Sequence, residues 1–133
     1  MLRRLAMTVS LVLMAGGSAL PLHAQPKPDT QACFRAEDWT DWKASPDSRS
    51  IYLRVNLDKV FRLELTDACP ELQEPNARLI TDIRGTNYIC SPLDLDLRVA
   101  DPTLPRVAVP CIVKSISKLT PDQVAALPKG SRP

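Results

Sequence analysis

Histidine is almost absent from this chain of 133 residues. Its single histidine, His23, lies in a leader that we expect to be removed, so the mature protein would contain no imidazole. Ser-His-Asp triads, Cys-His pairs and histidine-containing metal sites all depend on that side chain. The sequence therefore argues against these classes of enzyme.

Glycine is scarce as well, and only two of the four glycines, Gly85 and Gly130, lie beyond the leader. Neither belongs to a glycine-rich loop of the kind that holds phosphate groups. A charge excess is also missing, because loss of Arg3 and Arg4 with the leader reduces the 17 basic residues to 15, which equals the number of acidic residues. A neutral mature chain argues against nucleic acids and anionic membranes as partners.

The first 24 residues have the pattern of a secretory signal peptide. Two arginines precede an apolar run of 11 residues, 5–15, which is shorter than the roughly 20 residues of a bilayer span. The small residue Ala24 favours cleavage before Gln25, and an uncleaved amphipathic anchor is the alternative. No lipobox precedes Cys33, so we predict a periplasmic or secreted protein without a stable membrane anchor.

Four cysteines, Cys33, Cys69, Cys90 and Cys111, all lie beyond the leader. An even number of cysteines in a small exported chain predicts two disulfides, and the sequence leaves all three connectivities open. Their wide spacing does not resemble a CxxC redox pair or a zinc knuckle, which are the alternative uses of these thiols.

A β-hairpin is predicted at 50–69, where apolar and polar residues alternate in two runs. We expect a three-residue loop, Asp58–Val60, because that register keeps both apolar rows on one face. A two-residue loop would place apolar residues opposite polar ones, such as Val55 opposite Arg62. A five-residue loop would place Arg54 opposite Arg62. The expected cross-strand pairs are Leu57–Phe61, Val55–Leu63, Leu53–Leu65 and Arg54–Glu64.

The rest of the chain predicts further short elements of one β-rich α+β domain, 33–128, between a mobile lead-in at 25–32 and a tail at 129–133. We expect about five mostly antiparallel strands, in a sheet or a small open barrel, with short helices near both ends. Beyond the hairpin, the predicted strands are 78–84, 88–90, 93–99 and 106–117, and the predicted helices are 36–43 and 120–127. Pro110 places the last strand at an edge or a bulge.

Two pairs of residues are candidates for a functional site. Asp94 and Asp96 have the i, i+2 spacing that points two carboxylates the same way on a strand, so they are weak candidates for a metal site or an acid–base pair. The simpler interpretation is a solvated strand face. Trp39 and Trp42 share one face of the predicted first helix, where they either cap the core or form an aromatic contact surface.

Several ordered segments resemble a family of small exported proteins of Gram-negative bacteria that is catalogued as a domain of unknown function. The segments are Cys33–Arg35, Ile51–Val55, Phe61–Leu65, Cys69-Pro70, Ile89–Leu95, Pro110–Val113 and Leu119–Pro121. The resemblance implies a single domain stapled by its four cysteines and supplies no activity, catalytic residue or cofactor.

We therefore expect a non-enzymatic periplasmic interaction or binding module without a cofactor, with an envelope protein or a small ligand as its partner. A metal-dependent or acid–base hydrolase that uses Asp94 and Asp96 is one alternative. A carrier of a small apolar ligand, which would need an apolar cavity inside the domain, is another.

Overall fold

The computed structural model describes residues 33–100 and 107–133. The predicted signal peptide, the lead-in at 25–32 and the start of the predicted strand at 106 lie outside the described residues. The strands are β1 Phe34–Arg35, β2 Trp39–Ala44, β3 Ser50–Val55, β4 Lys59–Leu65, β5 Arg78–Ile83, β6 Tyr88–Ile89, β7 Leu95–Ala100, β8 Ala108–Pro110 and β9 Val113–Lys118. One α-helix, α1 Pro121–Ala126, follows them, and 3-10 turns lie at Ala36–Asp38, Pro70–Gln73, Pro92–Asp94 and Lys129–Ser131.

The strands form three open antiparallel sheets. The larger sheet has the order β2-β3-β4-β9, the smaller sheet has the order β5-β7-β8, and β1 pairs with β6 in a short ribbon. The β-rich class and the antiparallel pairing are confirmed. The expected number of about five strands is too low, and the described strands do not close into a barrel.

The two larger sheets face each other across a common apolar core. Ile51, Leu53 and Leu63 project inward from the larger sheet and are fully buried. Leu97 and Val99 of β7 meet them from the smaller sheet. Arg54 and Arg62, which alternate with these apolar side chains, are exposed on the other face of the larger sheet, whereas Tyr52 and Val60 on that face are buried outside this core. The period-two pattern thus sets which side chains enter the core between the sheets.

The hairpin forms, but its predicted register is wrong. β3 pairs Ile51 with Leu63, Leu53 with Phe61 and Val55 with Lys59. Its three-residue loop is 56–58, two residues before the expected one, because Asn56 takes the left-handed conformation at φ 57°. Asparagine tolerates that conformation better than most residues other than glycine. Leu57 therefore sits at the tip of the hairpin with 94% of its surface exposed.

The predicted helix at 36–43 is wrong too, and only a 3-10 turn, Ala36–Asp38, precedes strand β2. The pairing of β2 with β3 shifts at Thr40, where Trp39 lies opposite Val55 and Trp42 lies opposite Leu53. This one-residue bulge returns both indoles to the same face. Because of the bulge, Trp39 and Trp42 share one face of a strand although their spacing of three residues is typical of one face of a helix.

The predicted strand at 106–117 divides into two. β8 lies at the edge of the smaller sheet and ends at Pro110, which confirms the edge position. After Cys111 the chain crosses to the larger sheet and becomes β9. The strands expected at 78–84 and 93–99 are present, the second one starting at Leu95.

The C-terminal helix is confirmed, and its capping box forms as predicted from the sequence. Gln123 donates its amide to the Thr120 side chain, while its own side chain accepts from the Thr120 amide at 2.8 Å. Pro121 occupies the first turn, and the helix ends one residue before the expected Leu127. The segment after β9 then crosses to the other edge of the larger sheet, where Lys129–Ser131 contacts β2.

Two disulfides join distant parts of the domain. Cys33 bonds to Cys90 at the end of the β1–β6 ribbon, and Cys69 bonds to Cys111 inside the core. The prediction of two bridges is confirmed, and the fold decides the connectivity. Within the described parts of the chain, none of the helices has the length and apolar character to cross a membrane.

Candidate functional site

Asp94 lies in the turn before β7, so the prediction that it shares a strand face with Asp96 is wrong. Its carboxylate accepts hydrogen bonds from the backbone amides of Cys90 at 2.9 Å and Ser91 at 2.8 Å. These bonds favour the charged form and hold the pKa of Asp94 below its usual value, with the Cys90 amide as the larger cause. Asp94 therefore fixes the turn that follows the Cys33–Cys90 bridge.

Asp96 lies on β7 directly opposite Asp82 of β5. Two carboxylates in that position repel each other unless cations intervene. The Arg98 guanidinium lies 2.6 Å from the Asp82 carboxylate and 3.5 Å from that of Asp96, and Arg84 lies 3.8 Å from Asp96. The two carboxylates that the fold brings together are thus ion-paired. Among the described residues, no group of three or more His, Cys, Asp or Glu side chains has an arrangement that could hold a metal ion.

Both tryptophans pack against the apolar core from β2 and are partly buried. The indole nitrogen of Trp39 donates a hydrogen bond to the carbonyl of Asp41 at 3.0 Å. This arrangement resembles the capping role expected of the pair, and it leaves their use as an aromatic contact surface a prediction. The two tyrosines differ more sharply, because Tyr52 is buried whereas Tyr88 is 52% exposed.

Tyr88 belongs to a surface at one end of the sandwich, which we call the hairpin-end surface and define as Arg35, Leu57, Lys59 and Tyr88. Arg35 and Tyr88 are cross-strand partners in the β1–β6 ribbon. The Arg35 guanidinium lies over the Tyr88 ring, 6.0 Å from its centroid, and also pairs with the Glu37 carboxylate. Lys59 lines the same recess as Arg35 and Tyr88, and Leu57 lies two residues before it at the hairpin tip.

A recess of about 190 Å³ opens between the ribbon and the hairpin tip. Phe34, Val55 and Phe61 are buried side chains in its lining, and Arg35 and Lys59 are cationic ones. Lys59 has no ion pair among the described residues. Asp38 and Asn56 also line it, so the recess combines a buried apolar floor with a polar rim of both charges.

The elements around this recess are held firmly in place. The rings of Phe34 and Phe61 lie 4.7 Å apart, which joins the ribbon to β4. The amide of Asn56 donates to the Asp38 carbonyl at 2.8 Å, and the amide of Ala36 donates to the Asn87 carbonyl at 3.0 Å. Together with the Cys33–Cys90 bridge, these contacts reduce the freedom of the exposed side chains before any partner binds.

A second groove, of about 440 Å³, lies on the other side of the hairpin tip and shares Lys59 with the recess. Leu119 and Val124 supply apolar surface there, Lys118 and Arg132 add cations, and Asp58 adds a carboxylate. The Arg132 guanidinium donates to the carbonyls of Ala125 at 2.7 Å and Leu127 at 2.9 Å, so it also closes the end of α1.

The model of a family described as a family of unknown function, DUF6491, matches residues 1–132. The chain belongs to DUF6491. The match confirms the resemblance to a family of unknown function and extends over almost the whole sequence. No curated protein and no protein of known structure matches this chain.

The hairpin-end surface of this DUF6491 member is not evident from its sequence. The error in the hairpin register assigned Leu57 to the core, and the β1–β6 pairing that places Tyr88 beside Arg35 joins residues more than fifty positions apart. One signal was available, because Asn56 is a residue type that tolerates the left-handed conformation of a tight loop.

Proposed function

We propose that this DUF6491 protein is a non-enzymatic interaction module of the cell envelope that binds a protein through its hairpin-end surface. The observation that carries the proposal is the exposure of Tyr88 on the rim of the recess and of Leu57 at the hairpin tip, next to the rim residue Asn56. Large apolar groups that share one firmly supported surface are typical of a contact site. Tyrosine and arginine are also enriched among residues that dominate binding energy at protein interfaces.

The size and charge of the recess favour a protein partner. Small-molecule sites usually have volumes of roughly 300–1,000 Å³. The neighbouring groove of about 440 Å³ lies within that range, whereas the recess of about 190 Å³ is closer to the size of one or two side chains. Its buried apolar floor suits an apolar side chain of a partner loop, and Lys59, which has no ion pair among the residues that the structure describes, suits a carboxylate beside it on the rim that Lys59 shares with Asp38. A carrier of apolar ligands would need a cavity between the sheets, where packed core side chains such as Leu53 and Val99 lie.

The hydrolase alternative draws less support from the positions of its two proposed residues. The carboxylate of Asp94 is engaged by two backbone amides, and that of Asp96 lies within reach of two arginines. The absence of histidine after His23 favours a binding protein in addition.

An envelope location is part of the proposal. Disulfides persist in oxidising compartments, and the chain has two of them. The predicted signal peptide gives the route of export, so mass spectrometry of the exported protein should find Gln25 as its first residue. A mature chain that begins at Met1 would contradict cleavage.

Photo-crosslinking from position 57 tests the contact surface. A photoreactive amino acid replaces Leu57 in producing cells, the captured protein is identified by mass spectrometry, and its purified form is titrated with the wild-type protein. We expect Leu57→Asp and Tyr88→Ala each to weaken that binding by about tenfold or more, because truncated hot-spot residues cost at least 1–2 kcal/mol.

Ile112→Asp is the matched control, because Ile112 is another large apolar side chain on the surface, with 63% of its area exposed. It lies at the opposite end of β4, where its carbonyl accepts a hydrogen bond from the Thr66 amide. Binding to the identified partner should be unchanged in this variant. If Leu57→Asp and Tyr88→Ala bind as tightly as the wild type while all variants keep their circular dichroism spectra, the hairpin-end surface is not the contact.

A further inference from the structure

Sheet edges are sites where a second chain can add a strand, and three of the four described edges of the two larger sheets are protected. β8 has three residues and ends in Pro110. β2 carries the bulge at Thr40 and contacts Lys129–Ser131. β9 has an irregular register at Lys114, whose ammonium group lies 3.7 Å from Glu64. A proline, a bulge and an edge lysine are the usual means of preventing strand addition.

β5 differs from the other edges. It has six residues in regular register with β7, without proline, glycine or a bulge. Among the strands that the structure describes, β7 is the one hydrogen-bonded to it. Ile80 projects from its outer face and is 39% exposed. This strand therefore offers a straight and unblocked edge within the described parts of the chain.

The hydrogen-bond pattern shows which backbone groups this edge presents. The amide of Arg84 donates to the Asp94 carbonyl at 2.9 Å, so residues 84 and 94 form a hydrogen-bonded pair of the β5–β7 ladder. Such pairs alternate along an antiparallel ladder, which assigns Arg78, Ile80 and Asp82 to bonds with β7. The amides and carbonyls of Leu79, Thr81 and Ile83 consequently point away from the sheet.

We propose that β5 pairs with β5 of a second copy of this chain around a two-fold axis at Ile80. In this register Leu79 exchanges backbone hydrogen bonds with Thr81 of the second copy, because both residues present outward-facing groups. Ile80 meets its own symmetry mate on the outer face. Arg78 lies opposite Asp82 of the second copy, whose carboxylate, 2.6 Å from Arg98 of its own chain, then has a second cation beside it, and the symmetry repeats this contact.

Charge complementarity selects this register over its neighbours. Moving the axis by one residue to Thr81 would place Arg78 opposite Arg84 of the second copy, and moving it to Asp82 would place two aspartates together. Moving it the other way, to Leu79, would place Arg78 opposite Ile80 and lose the pair of opposite charges. Like charges at directly opposed positions destabilise strand pairing. The proposed pairing joins the smaller sheets of the two copies into a single sheet of six strands, in the order β8-β7-β5-β5-β7-β8.

The contact consists of one short strand pair, so we expect a weak and concentration-dependent dimer. Sedimentation equilibrium of the purified, oxidised wild-type chain measures its dissociation constant over a concentration series. Arg78→Asp should weaken the dimer by about tenfold or more, because two attractive pairs become repulsive ones. Asp82→Arg should do the same with the opposite charge.

Mixing the two variants gives the decisive result. In a mixed dimer each new aspartate at position 78 faces a new arginine at position 82, and the remaining Asp82 faces the remaining Arg78. We expect an equimolar mixture of Arg78→Asp and Asp82→Arg to recover dimers, although each variant alone is monomeric at the same concentration.

Thr81→Pro is a second variant that does not depend on charge. It removes an amide that points to the edge and leaves the β5–β7 ladder intact, so it should give a folded monomer. A wild-type chain that stays monomeric up to about 1 mM, where an interface of this small class should associate, would overturn the proposal. A dimer that survives Thr81→Pro, or variants whose mixture stays monomeric, would overturn it as well.

Discussion

Removal of the buried disulfide should destabilise the domain more than removal of the exposed one, although the buried bridge closes the shorter loop. Cys33 and Cys90 are 57 residues apart, and Cys69 and Cys111 are 42 residues apart. The chain-entropy relation assigns about 4 kcal/mol to each loop and only about 0.3 kcal/mol more to the longer one. Loop length alone therefore predicts almost equal losses, with a small excess for C33A/C90A.

Burial reverses that order. Cys69 and Cys111 are 4% and 3% exposed and belong to the core cluster, whereas Cys33 and Cys90 are exposed. Each Cys→Ala change replaces a buried sulfur atom by a hydrogen atom. This loses about 1 kcal/mol of apolar burial at each site, before any cost of the cavity is counted. We expect losses of about 6 kcal/mol for C69A/C111A and about 4 kcal/mol for C33A/C90A.

Urea unfolding followed by circular dichroism measures both double variants against the wild type. A C69A/C111A chain that is unfolded in buffer, while C33A/C90A remains folded, gives the expected ordering too. Equal losses, or a larger loss for C33A/C90A, would refute the reasoning that burial of Cys69 and Cys111 adds to the loop entropy.

Three further predictions test single positions. Leu53→Ala should lower the free energy of unfolding in urea by about 2–5 kcal/mol, because Leu53 fills the core. Leu57→Ala should change it by no more than about 0.5 kcal/mol, because Leu57 lies at the hairpin tip, and similar losses in the two variants would contradict the observed register. Because φ of Asn56 is positive, Asn56→Val should lower the free energy of unfolding by about 1–2 kcal/mol, whereas Asn56→Gly should not destabilise the domain. An Asn56→Val melting temperature equal to that of the wild type would exclude the left-handed conformation at this position. Asp94 has a lowered pKa when folded, so its stabilising effect is complete above the ordinary aspartate pKa of about 3.9 and is lost as the pH falls through the lower folded value. Asp94→Asn should therefore lower the melting temperature at pH 7 and flatten its decline in acid, and unchanged melting at pH 7 would count against the role of the Cys90 and Ser91 amides.

Local chemistry determined several elements from the sequence by itself. The capping box at Thr120 and Gln123 lies within one helical turn, so its two hydrogen bonds need no distant partner. The alternation of Leu95, Leu97 and Val99 indicated which side chains of β7 face the core, since the pleat of a strand has a period of two. Leu93, predicted in the same row, lies in the turn before the strand and is 78% exposed. The proline at position 110 indicated an edge strand because it lacks an amide donor. The even count of cysteines predicted two bridges.

Only the tertiary structure decided the hairpin register, the bulge at Thr40 and the pairing of the cysteines. Two registers that both keep the apolar rows inward differ little in local energy, and the contacts of Asn56 with Asp38 and of Phe61 with Phe34 select one of them. The hairpin-end surface and the β5 edge depend on strands brought together from distant parts of the chain. Sequence periodicity assigns a side chain to a face, but long-range packing decides which faces and edges remain open to a partner.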